Sequence, residues 1–317
     1  MTVGKTKEAK NIYADLDYAY MEKYIAAHDD AEKSIMAEYQ IRSKFLHIFA
    51  DITASTWYNK DIRLQPSKHK GDHMDQNAFF TAYNISEKDL LDANITWDEL
   101  LLIEAEYRKI EKSLREIGKS FIDEYLYDIE TTGIHSYRYR TKGIPPLLEK
   151  VIRKRKENPE KFAQLDHTNF HKFITDMIGI RVFFLYREDW KNFHRYLTIR
   201  FANDPALYVH DRLMDFDENP DHYYLAERPR VYKRTGDSKI YDGDEIEILS
   251  DGIYRSLHYI VKYKGQYIEI QGRTLFEEGW GEVDHDIVYK NGEEDEMLRD
   301  YSRLLNRLSG LADEMSS

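Results

Sequence analysis

Apolar positions recur at helical spacing through the N-terminal third of the chain, and further on they fall into a mixture of short strands and helices. Between residues 9 and 50, large apolar side chains return every three or four positions, which predicts helix. A polar stretch at 59–76 predicts a loop. Ser86 and Thr96 each precede a helical pattern, as an N-cap residue does. The helix after Thr96 is long, and we expect it to run to about Ile129.

The remainder of the chain alternates between the two periods, which predicts an α+β fold with a mixed β-sheet flanked by helices. The predicted helices are 145–157, 168–177, 188–202, 275–285 and 294–312, and the predicted strands are Ile178–Tyr186, 229–233, 245–249, 254–263 and 266–271. The last two strands are joined by Lys264–Gly265, a hairpin signal. We therefore expect an all-helical N-terminal region at 1–95, followed by an α/β body at 96–317.

Composition restricts the compartment and the classes of partner. The chain has 317 residues, no cysteine and a formal net charge of −12. Without cysteine there are no disulfides and no thiolate chemistry, so we expect a cytoplasmic protein. No stretch is apolar enough to span a membrane, and the charged N-terminus does not resemble a signal peptide. Such an acidic chain does not favour broad binding to nucleic-acid backbone, so any phosphate site has to be a local basic patch.

A local basic patch does occur near the start of the α/β body. Eight cations fall within the nineteen residues from Arg138 to Lys156, among them Arg140, Lys142 and Lys150. Fixed cations are what a triphosphate requires, and arginine can hold phosphate through two parallel hydrogen bonds. A solvated helix face would give the run at 153–156 as well. The position of Arg140 and Lys142, where a loop enters a helix, favours the binding interpretation.

Acidic residues stand at or near two predicted strands. Asp176 lies at the mouth of the buried strand, where an aspartate is either a turn residue or a metal carboxylate. In the last strand Glu269, Gln271 and Arg273 alternate with isoleucines, so one face is apolar and the other carries an acid, an amide and a cation. A solvent-facing strand would give that alternation too.

A third group of candidates lies in the segment Asp251–Val261. Tyr254 in a loop can stack on a base, and Arg255 and His258 beside it can reach phosphate or ribose. A single histidine in an alternating strand is, however, more often packed than functional. These residues therefore indicate a nucleotide only in combination with the cations and acids above.

Taken in order, these patterns resemble the synthetase domain of the RelA/SpoT family over residues 97–290. The matching segments are Arg140-Thr-Lys142 with Lys150, Asp176-Met-Ile-Gly179-Ile-Arg181, Tyr254-Arg-Ser-Leu-His258, Glu269-Ile-Gln271-Gly-Arg273-Thr274, Trp280-Gly-Glu282-Val-Asp-His285 and Tyr289-Lys290. The sequence departs from the family pattern at Ile253, where a glycine normally precedes the tyrosine, and at Gly272, where an apolar residue is usual.

The resemblance implies a nucleotidyltransferase-like pyrophosphokinase that moves the β,γ-pyrophosphate of ATP to the 3′-hydroxyl of GDP or GTP. It implies Asp176 and Glu269 as catalytic acids that hold Mg²⁺. The donor phosphates would lie on Arg140, Lys142, Lys150 and Arg181, and the acceptor on Tyr254, Arg255, His258, Gln271 and Arg273.

Several alternatives stay open on sequence alone. The acceptor can be an adenosine nucleotide or the 3′ end of tRNA, as in toxic small members of the family, and a catalytically inactive nucleotide sensor is a further reading. His28-Asp29 has no partner histidines at metal-ligand spacing, so we expect no hydrolase domain. The region 1–95 would then be regulatory, antitoxin-like or an oligomerisation element, and a homo-oligomer is compatible with the sequence.

Overall fold

The computed structural model describes residues 74–208, 217–234, 246–252, 254–284 and 296–315. The chain divides by its internal contacts into units at Met1–Asp61 and Ile62–Ser317, and the described residues all lie in the second. The helix predicted at 9–50 and His28-Asp29 lie outside the described residues, as does most of the loop predicted at 59–76. None of the helices in the described part of the chain is long and apolar enough to cross a membrane.

The helices of the described residues are mostly those that the sequence predicts. They are α1 (Gln76–Tyr83), α2 (Glu87–Asp92), α3 (Trp97–Tyr125), α4 (Ile129–Thr132), α5 (Ile144–Glu157), α6 (Pro159–Phe162), α7 (Phe170–Phe173), α8 (Trp190–Arg200), α9 (Leu275–Asp284) and α10 (Glu296–Met315). Thr96 caps α3 by accepting a hydrogen bond from the Glu99 backbone N–H, while the Glu99 carboxylate accepts one from the Thr96 N–H. The helix predicted at 168–177 is the single turn α7, because the chain then extends into a strand.

The strands are β1 (Ser136–Thr141), β2 (Ile178–Phe184), β3 (Tyr224–Leu225), β4 (Arg230–Arg234), β5 (Glu247–Gly252), β6 (Ser256–Tyr263) and β7 (Gln266–Thr274). In the described residues they form one mixed sheet in the order β1-β2-β7-β6-β4-β5, with β3 also pairing with β6. The pairs β2–β7 and β4–β5 are parallel, and the other pairs are antiparallel. The predicted α+β class with a mixed sheet flanked by helices is therefore confirmed.

The strand β1 is the main element that the sequence pattern does not predict. Its sequence SYRYRT alternates tyrosine with arginine and contains no aliphatic residue, so it reads as the loop that we expected before α5. In the structure it pairs along its whole length with β2, with Arg138 opposite Arg181 and Arg140 opposite Gly179. Tyr137 and Tyr139 are half-buried and pack against the core. These two aromatic side chains supply the apolar contacts of a strand at the sheet edge, in place of aliphatic residues.

The two faces of the sheet differ in character. Isoleucines of β2 and β7 lie on one face and are buried in the main core, together with residues of α3 such as Leu114 and Phe121. The opposite face carries the polar residues of the same strands, including Glu269, Gln271 and Arg273 at alternate positions of β7. The polar face is where the candidate residues meet.

The helices before residue 95 pack against this body. The ring of Phe79 in α1 lies 5.5 Å from that of Trp97 at the start of α3, and Asp89 of α2 forms an ion pair with Lys156 of α5. The boundary predicted at residue 95 stays a prediction, but α1 and α2 contact the elements that follow it.

Candidate active site

The pairing register places the polar side chains of neighbouring strands side by side, because directly paired residues point to the same face of a sheet. The first row is Arg140, Gly179 and Glu269, and the second is Arg138, Arg181, Gln271, His258 and Arg230. The third row pairs Phe183 with Arg273 and Ser256 with Tyr232, and Arg273 Nε lies 3.4 Å from Ser256 Oγ. The acid, the amide and the arginines that the sequence singled out thus lie on one surface. We call this surface the polar face.

Asp176 lies at the entry to β2 between two lysines. Its Oδ2 is 2.8 Å from Lys142 Nζ and 2.7 Å from Lys150 Nζ, and all three side chains are largely buried. Burial by itself would raise the pKa of Asp176, but the charges of Lys150 and Lys142 outweigh it and lower that pKa to about 2. The carboxylate is therefore ionised at neutral pH.

Local structure explains how the two lysines converge on Asp176. Lys142 follows β1, where its backbone N–H donates to the carbonyl of Met177 and its own carbonyl accepts from the Tyr107 hydroxyl of α3. Gly143 then caps α5, whose first turn holds two prolines, and Lys150 follows on that helix. The end of β1 thus places Lys142 beside Asp176, and the adjoining helix α5 places Lys150 there.

Glu269 lies on the parallel strand next to Asp176. It pairs in register with Gly179, and its Oε2 accepts a hydrogen bond of 3.0 Å from Gln271 Nε2. Burial and then the negative charge of Asp176 raise the pKa of Glu269, while Lys150, Lys142 and Arg140 act in the opposite direction. The charge of Asp176 thus acts on Glu269, and the pKa values of the two acids are shifted in opposite directions.

The two acids form a donor set that suits Mg²⁺. Asp176 Oδ2 contacts both lysines. Its other oxygen, Oδ1, is buried and has no hydrogen-bond partner, so the lone pairs of Oδ1 are available to a cation. Mg²⁺ binds oxygen ligands and commonly takes only one or two protein carboxylates. Within the described residues there is no cluster of three or more such ligands, as a closed structural metal site would have. The residues present fit an open magnesium site.

Lys154 is a further cation near the two acids, and the sequence distinguishes it from the basic run at 153–156 by no pattern of its own. It lies one turn beyond Lys150 on α5, with its Nζ 4.4 Å from the centroid of the Phe162 ring. Burial and then the charge of Lys150 lower the pKa of Lys154 to about 8. Arg140 is exposed, and its charge reaches Glu269. Helical spacing from Lys150 points to Lys154 at four residues but equally to Arg153 at three, so sequence alone does not distinguish the two.

Arg181 is not an isolated cation. Its Nη1 donates to Glu278 Oε1 at 2.8 Å and to Glu282 Oε1 at 2.7 Å, and Arg138 lies 3.7 Å and 3.8 Å from the same two oxygens. The two glutamates lie one turn apart on α9, which therefore covers part of the polar face. Glu282 belongs to the matching segment Trp280-Gly-Glu282-Val-Asp-His285 but had no predicted role, and Glu278 carries no sequence pattern of its own.

The acceptor candidates gather at the other end of the polar face. Arg273 donates through Nη2 to the Tyr254 hydroxyl and to Gln271 Oε1, and its guanidinium carbon lies 4.9 Å from the Tyr254 ring centroid. The Tyr254 hydroxyl is 3.4 Å from His258 Nε2. Tyr232, which the sequence did not single out, lies 5.6 Å from Tyr254 between ring centroids. We call the group formed by Tyr232, Tyr254, His258, Gln271 and Arg273 the Tyr254 cluster.

His258 is half enclosed by this cluster and by Glu269. Its Nδ1 is 4.0 Å from Glu269 Oε1, and its ring lies 4.9 Å from that of Tyr232. Burial and then the charges of Arg273 and Arg230 lower the pKa of His258 to about 3. The imidazole is therefore neutral at physiological pH and can accept as well as donate a hydrogen bond.

Arg255 is not brought together with the other candidates. It is 3% exposed, and its Nη1 lies 3.3 Å from Glu277 Oε1 and 2.5 Å from Asp313 Oδ2. Arg255, directly before β6, thus links the start of that strand to α9 and α10. Its predicted role in acceptor binding stays untested, and its placement is that of a structural ion pair. His285, Tyr289 and Lys290 lie outside the described residues.

The chain is similar to several solved structures, each at low identity. The small alarmone synthetase 1 from Bacillus subtilis bound to its product pppGpp is 19% identical, with a TM-score of 0.40, over 66% of this chain and 90% of that one. A GTP pyrophosphokinase family protein from Streptococcus pneumoniae is 20% identical, with a TM-score of 0.35, over 69% of this chain and 90% of that one. At these scores the likeness is too distant to transfer a substrate. No curated protein matches the chain.

A family match covers the candidate active site. Residues 139–294 match the family described as the region found in RelA / SpoT proteins. That range contains Arg140, Lys142, Lys150, both acids and the whole Tyr254 cluster, in the order that the resemblance requires. Residues 139–294 of this chain therefore form a domain of the RelA/SpoT family.

Proposed function

We propose that the chain is a pyrophosphokinase that transfers the β,γ-pyrophosphate of ATP to the 3′-hydroxyl of GDP or GTP. The observation that carries the proposal is the position of Asp176 at the entry to β2 and of Glu269 on the neighbouring parallel strand β7. Lys142 and Lys150 lie on one side of these acids, and the Tyr254 cluster lies on the other. Donor cations, two acids and an aromatic platform then follow one another across a single surface.

In the proposed reaction the 3′-oxygen of the acceptor attacks the β-phosphorus of ATP. A bond forms between them, the bond from the β-phosphorus to the oxygen of the α-phosphate breaks, and AMP leaves. Charge builds up on the phosphoryl oxygens, and fixed cations stabilise it without reorganising. Lys142, Lys150 and Arg140 are suited to this task, and Lys154 is a further candidate.

The two acids suit different tasks because their pKa values are shifted in opposite directions. Asp176 stays ionised down to low pH and so keeps a permanent negative charge at the entry to β2. Glu269, whose pKa is raised, is the better proton acceptor of the two, and we assign it the proton of the attacking hydroxyl. Asp176 and Glu269 would together hold Mg²⁺, which supplies charge neutralisation on the ATP phosphates when bound.

The acceptor base fits the aromatic cluster. Tyr254 offers a ring for stacking, and the hydrogen bond from Arg273 to its hydroxyl holds the side chain in position. Neutral His258 and Gln271 lie between that ring and Glu269, where they can bind the ribose hydroxyls. We leave Arg255 out of the acceptor site because its guanidinium is buried in ion pairs.

The test is a transfer assay with the full chain. The purified protein is incubated with Mg²⁺ and γ-³²P-ATP, with GDP, GTP, ADP, AMP and deacylated tRNA offered separately and the Glu269→Gln variant run alongside. We expect label on GDP or GTP with the wild type only. Label on an adenosine nucleotide or on tRNA would overturn the guanosine assignment and keep the pyrophosphate transfer. No label on any acceptor would overturn the enzyme proposal.

A further inference from the structure

The carboxylate of Glu278 joins two groups of arginines that the proposed reaction uses for different substrates. Its Oε1 accepts from Arg181 Nη1 at 2.8 Å, and its Oε2 lies 3.3 Å from Arg273 Nη1. Arg181 belongs to the donor side of the polar face, and Arg273 belongs to the Tyr254 cluster. The Glu278 side chain is only 3% exposed, so water does not screen these contacts.

From Arg273 the hydrogen bonds continue to the reacting centre. Arg273 Nη2 donates to Gln271 Oε1 at 3.3 Å, and Gln271 Nε2 donates to Glu269 Oε2 at 3.0 Å. An amide has one accepting and one donating end, so the bond from Arg273 decides which end of Gln271 faces Glu269. A continuous chain of hydrogen bonds therefore runs from Arg181 through Glu278, Arg273 and Gln271 to Glu269.

The neighbouring acid Glu282 provides the contrast. It also contacts Arg181, at 2.7 Å, and lies 3.8 Å from Arg138, but it is 41% exposed and makes no contact with Arg273 that would extend the chain. Glu282 also interacts with Glu278, so it neutralises the donor side directly and reaches the acceptor side only through Glu278. The two glutamates lie on one helix and share Arg181. Of the two, Glu278 is the one that also contacts Arg273, the arginine assigned to the acceptor.

We infer that Glu278 is a positioning residue that couples the donor and acceptor halves of the site, by holding Arg273 so that Gln271 presents its amide N–H to Glu269. The inference rests on the proposed function. It does not place Glu278 on a substrate, because its oxygens are already occupied by arginines. Replacing Glu278 by glutamine turns one of its two oxygens into an amide nitrogen, which cannot accept a hydrogen bond from an arginine. The chain of hydrogen bonds is then broken at either Arg181 or Arg273.

The experiment compares Glu278→Gln with Glu282→Gln as the matched control. Affinity for GDP is measured by titration calorimetry without ATP, and KM for GDP, KM for ATP and kcat are measured in the transfer assay. We expect Glu278→Gln to weaken GDP binding and to raise KM for GDP by about tenfold, the loss of one charged hydrogen bond. Glu282→Gln should alter KM for ATP more than KM for GDP.

A double-variant cycle separates positioning from a general loss of structure. Gln271→Met interrupts the chain one step further along, so Glu278→Gln should add little to the KM for GDP in that background. Additive effects, or equal effects of the two Gln variants on GDP, would overturn the inference. If Glu278→Gln does not fold, Arg273→Lys replaces it, because a lysine keeps the charge but cannot contact Glu278 and Gln271 with one planar fork.

Measuring GDP affinity by calorimetry tests this inference separately from the proposed function. A wild type that binds GDP but transfers no pyrophosphate would defeat the proposed reaction, while a difference in GDP affinity between the Glu278 and Glu282 variants would still support the coupling. A wild type that transfers pyrophosphate with no such difference would defeat the coupling alone.

Discussion

Gly272 makes room for the ring of Phe184. A Cβ at position 272 would lie 2.8 Å from Phe184 Cε2 and 3.0 Å from Cζ, closer than a methyl group can come. Phe184 ends β2, and Gly272 lies on β7, so the ring crosses from one strand over the backbone of the next. The glycine that departs from the family pattern thus has a physical reason in this chain, since the aromatic ring fills the space of the missing side chain.

We therefore expect Gly272→Ala to lower the free energy of unfolding by about 1–3 kcal/mol through overpacking. The measurement is urea unfolding followed by circular dichroism. Gly279→Ala is the matched control, because a Cβ there meets nothing within 4 Å and the residue is helical. Adding Phe184→Leu to Gly272→Ala should recover part of the loss. If the double variant is destabilised by the full sum of both changes, the crowding explanation is wrong.

Lys150 and Arg153 lie on the same helix but differ in what they face. Lys150 contacts Asp176, whereas Arg153 is 47% exposed and pairs along the helix with Glu149 and Glu157. We expect Lys150→Met to raise KM for ATP by about tenfold or more, because a charged contact to phosphate is lost. Arg153→Met should stay within about twofold of the wild type. The check is steady-state kinetics with ATP varied, and equal effects of the two variants would contradict the donor assignment.

The elements that the sequence predicts correctly are those stabilised by interactions between residues close together in the chain. The α3 start follows from Thr96 and Glu99, which satisfy each other's backbone groups within one turn. The β6–β7 hairpin follows from Lys264–Gly265, where both residues have positive φ, 48° and 74°. The alternation along β7 likewise gives the face on which Glu269 lies.

The parts that sequence misses depend on distant partners. β1 is a strand because β2 offers it an edge, and its own residues give no aliphatic pattern. Arg255 sits inside a matching motif, yet Glu277 and Asp313, from 22 and 58 residues further along, bury its charge. Glu278 shows the same limit, since only the fold brings Arg181 and Arg273 to its two oxygens. A motif predicts which residues are present, and the tertiary ion pairs decide which of them face the substrate.

His258 predicts a pH dependence of stability. Its pKa is about 3 in the folded chain, against an ordinary value of 6.5, because it is buried near Arg273 and Arg230. A group whose folded pKa is depressed stabilises the fold fully above its unfolded pKa and loses that contribution as pH falls. Between pH 6 and pH 4 we expect the wild type to lose about 1.4 kcal/mol per pH unit more than His258→Gln does.

The measurement for His258 is urea unfolding at several pH values without nucleotide. His135→Gln is the control, because the His135 side chain is exposed and contacts the hydroxyl of its neighbour Ser136. That variant should follow the wild type across the range. Parallel pH profiles for the wild type and His258→Gln would show that the imidazole is not held neutral by its surroundings.

The two acids give the most direct prediction about chemistry. Asp176→Asn and Glu269→Gln should each reduce pyrophosphate transfer by about 10³-fold or more, since each removes a carboxylate that the proposed reaction uses. Glu269→Gln should do so without loss of fold, because the amide keeps an oxygen that can accept from Gln271 Nε2. Asp176→Asn leaves Lys142 and Lys150 without their counter-charge, so its thermal unfolding is measured beside its activity. Glu149→Gln is the control and should retain full transfer, because the half-buried Glu149 carboxylate pairs with Arg153 along α5. Substantial transfer by folded Glu269→Gln protein would mean that the acid at the centre of the polar face is not part of the reaction.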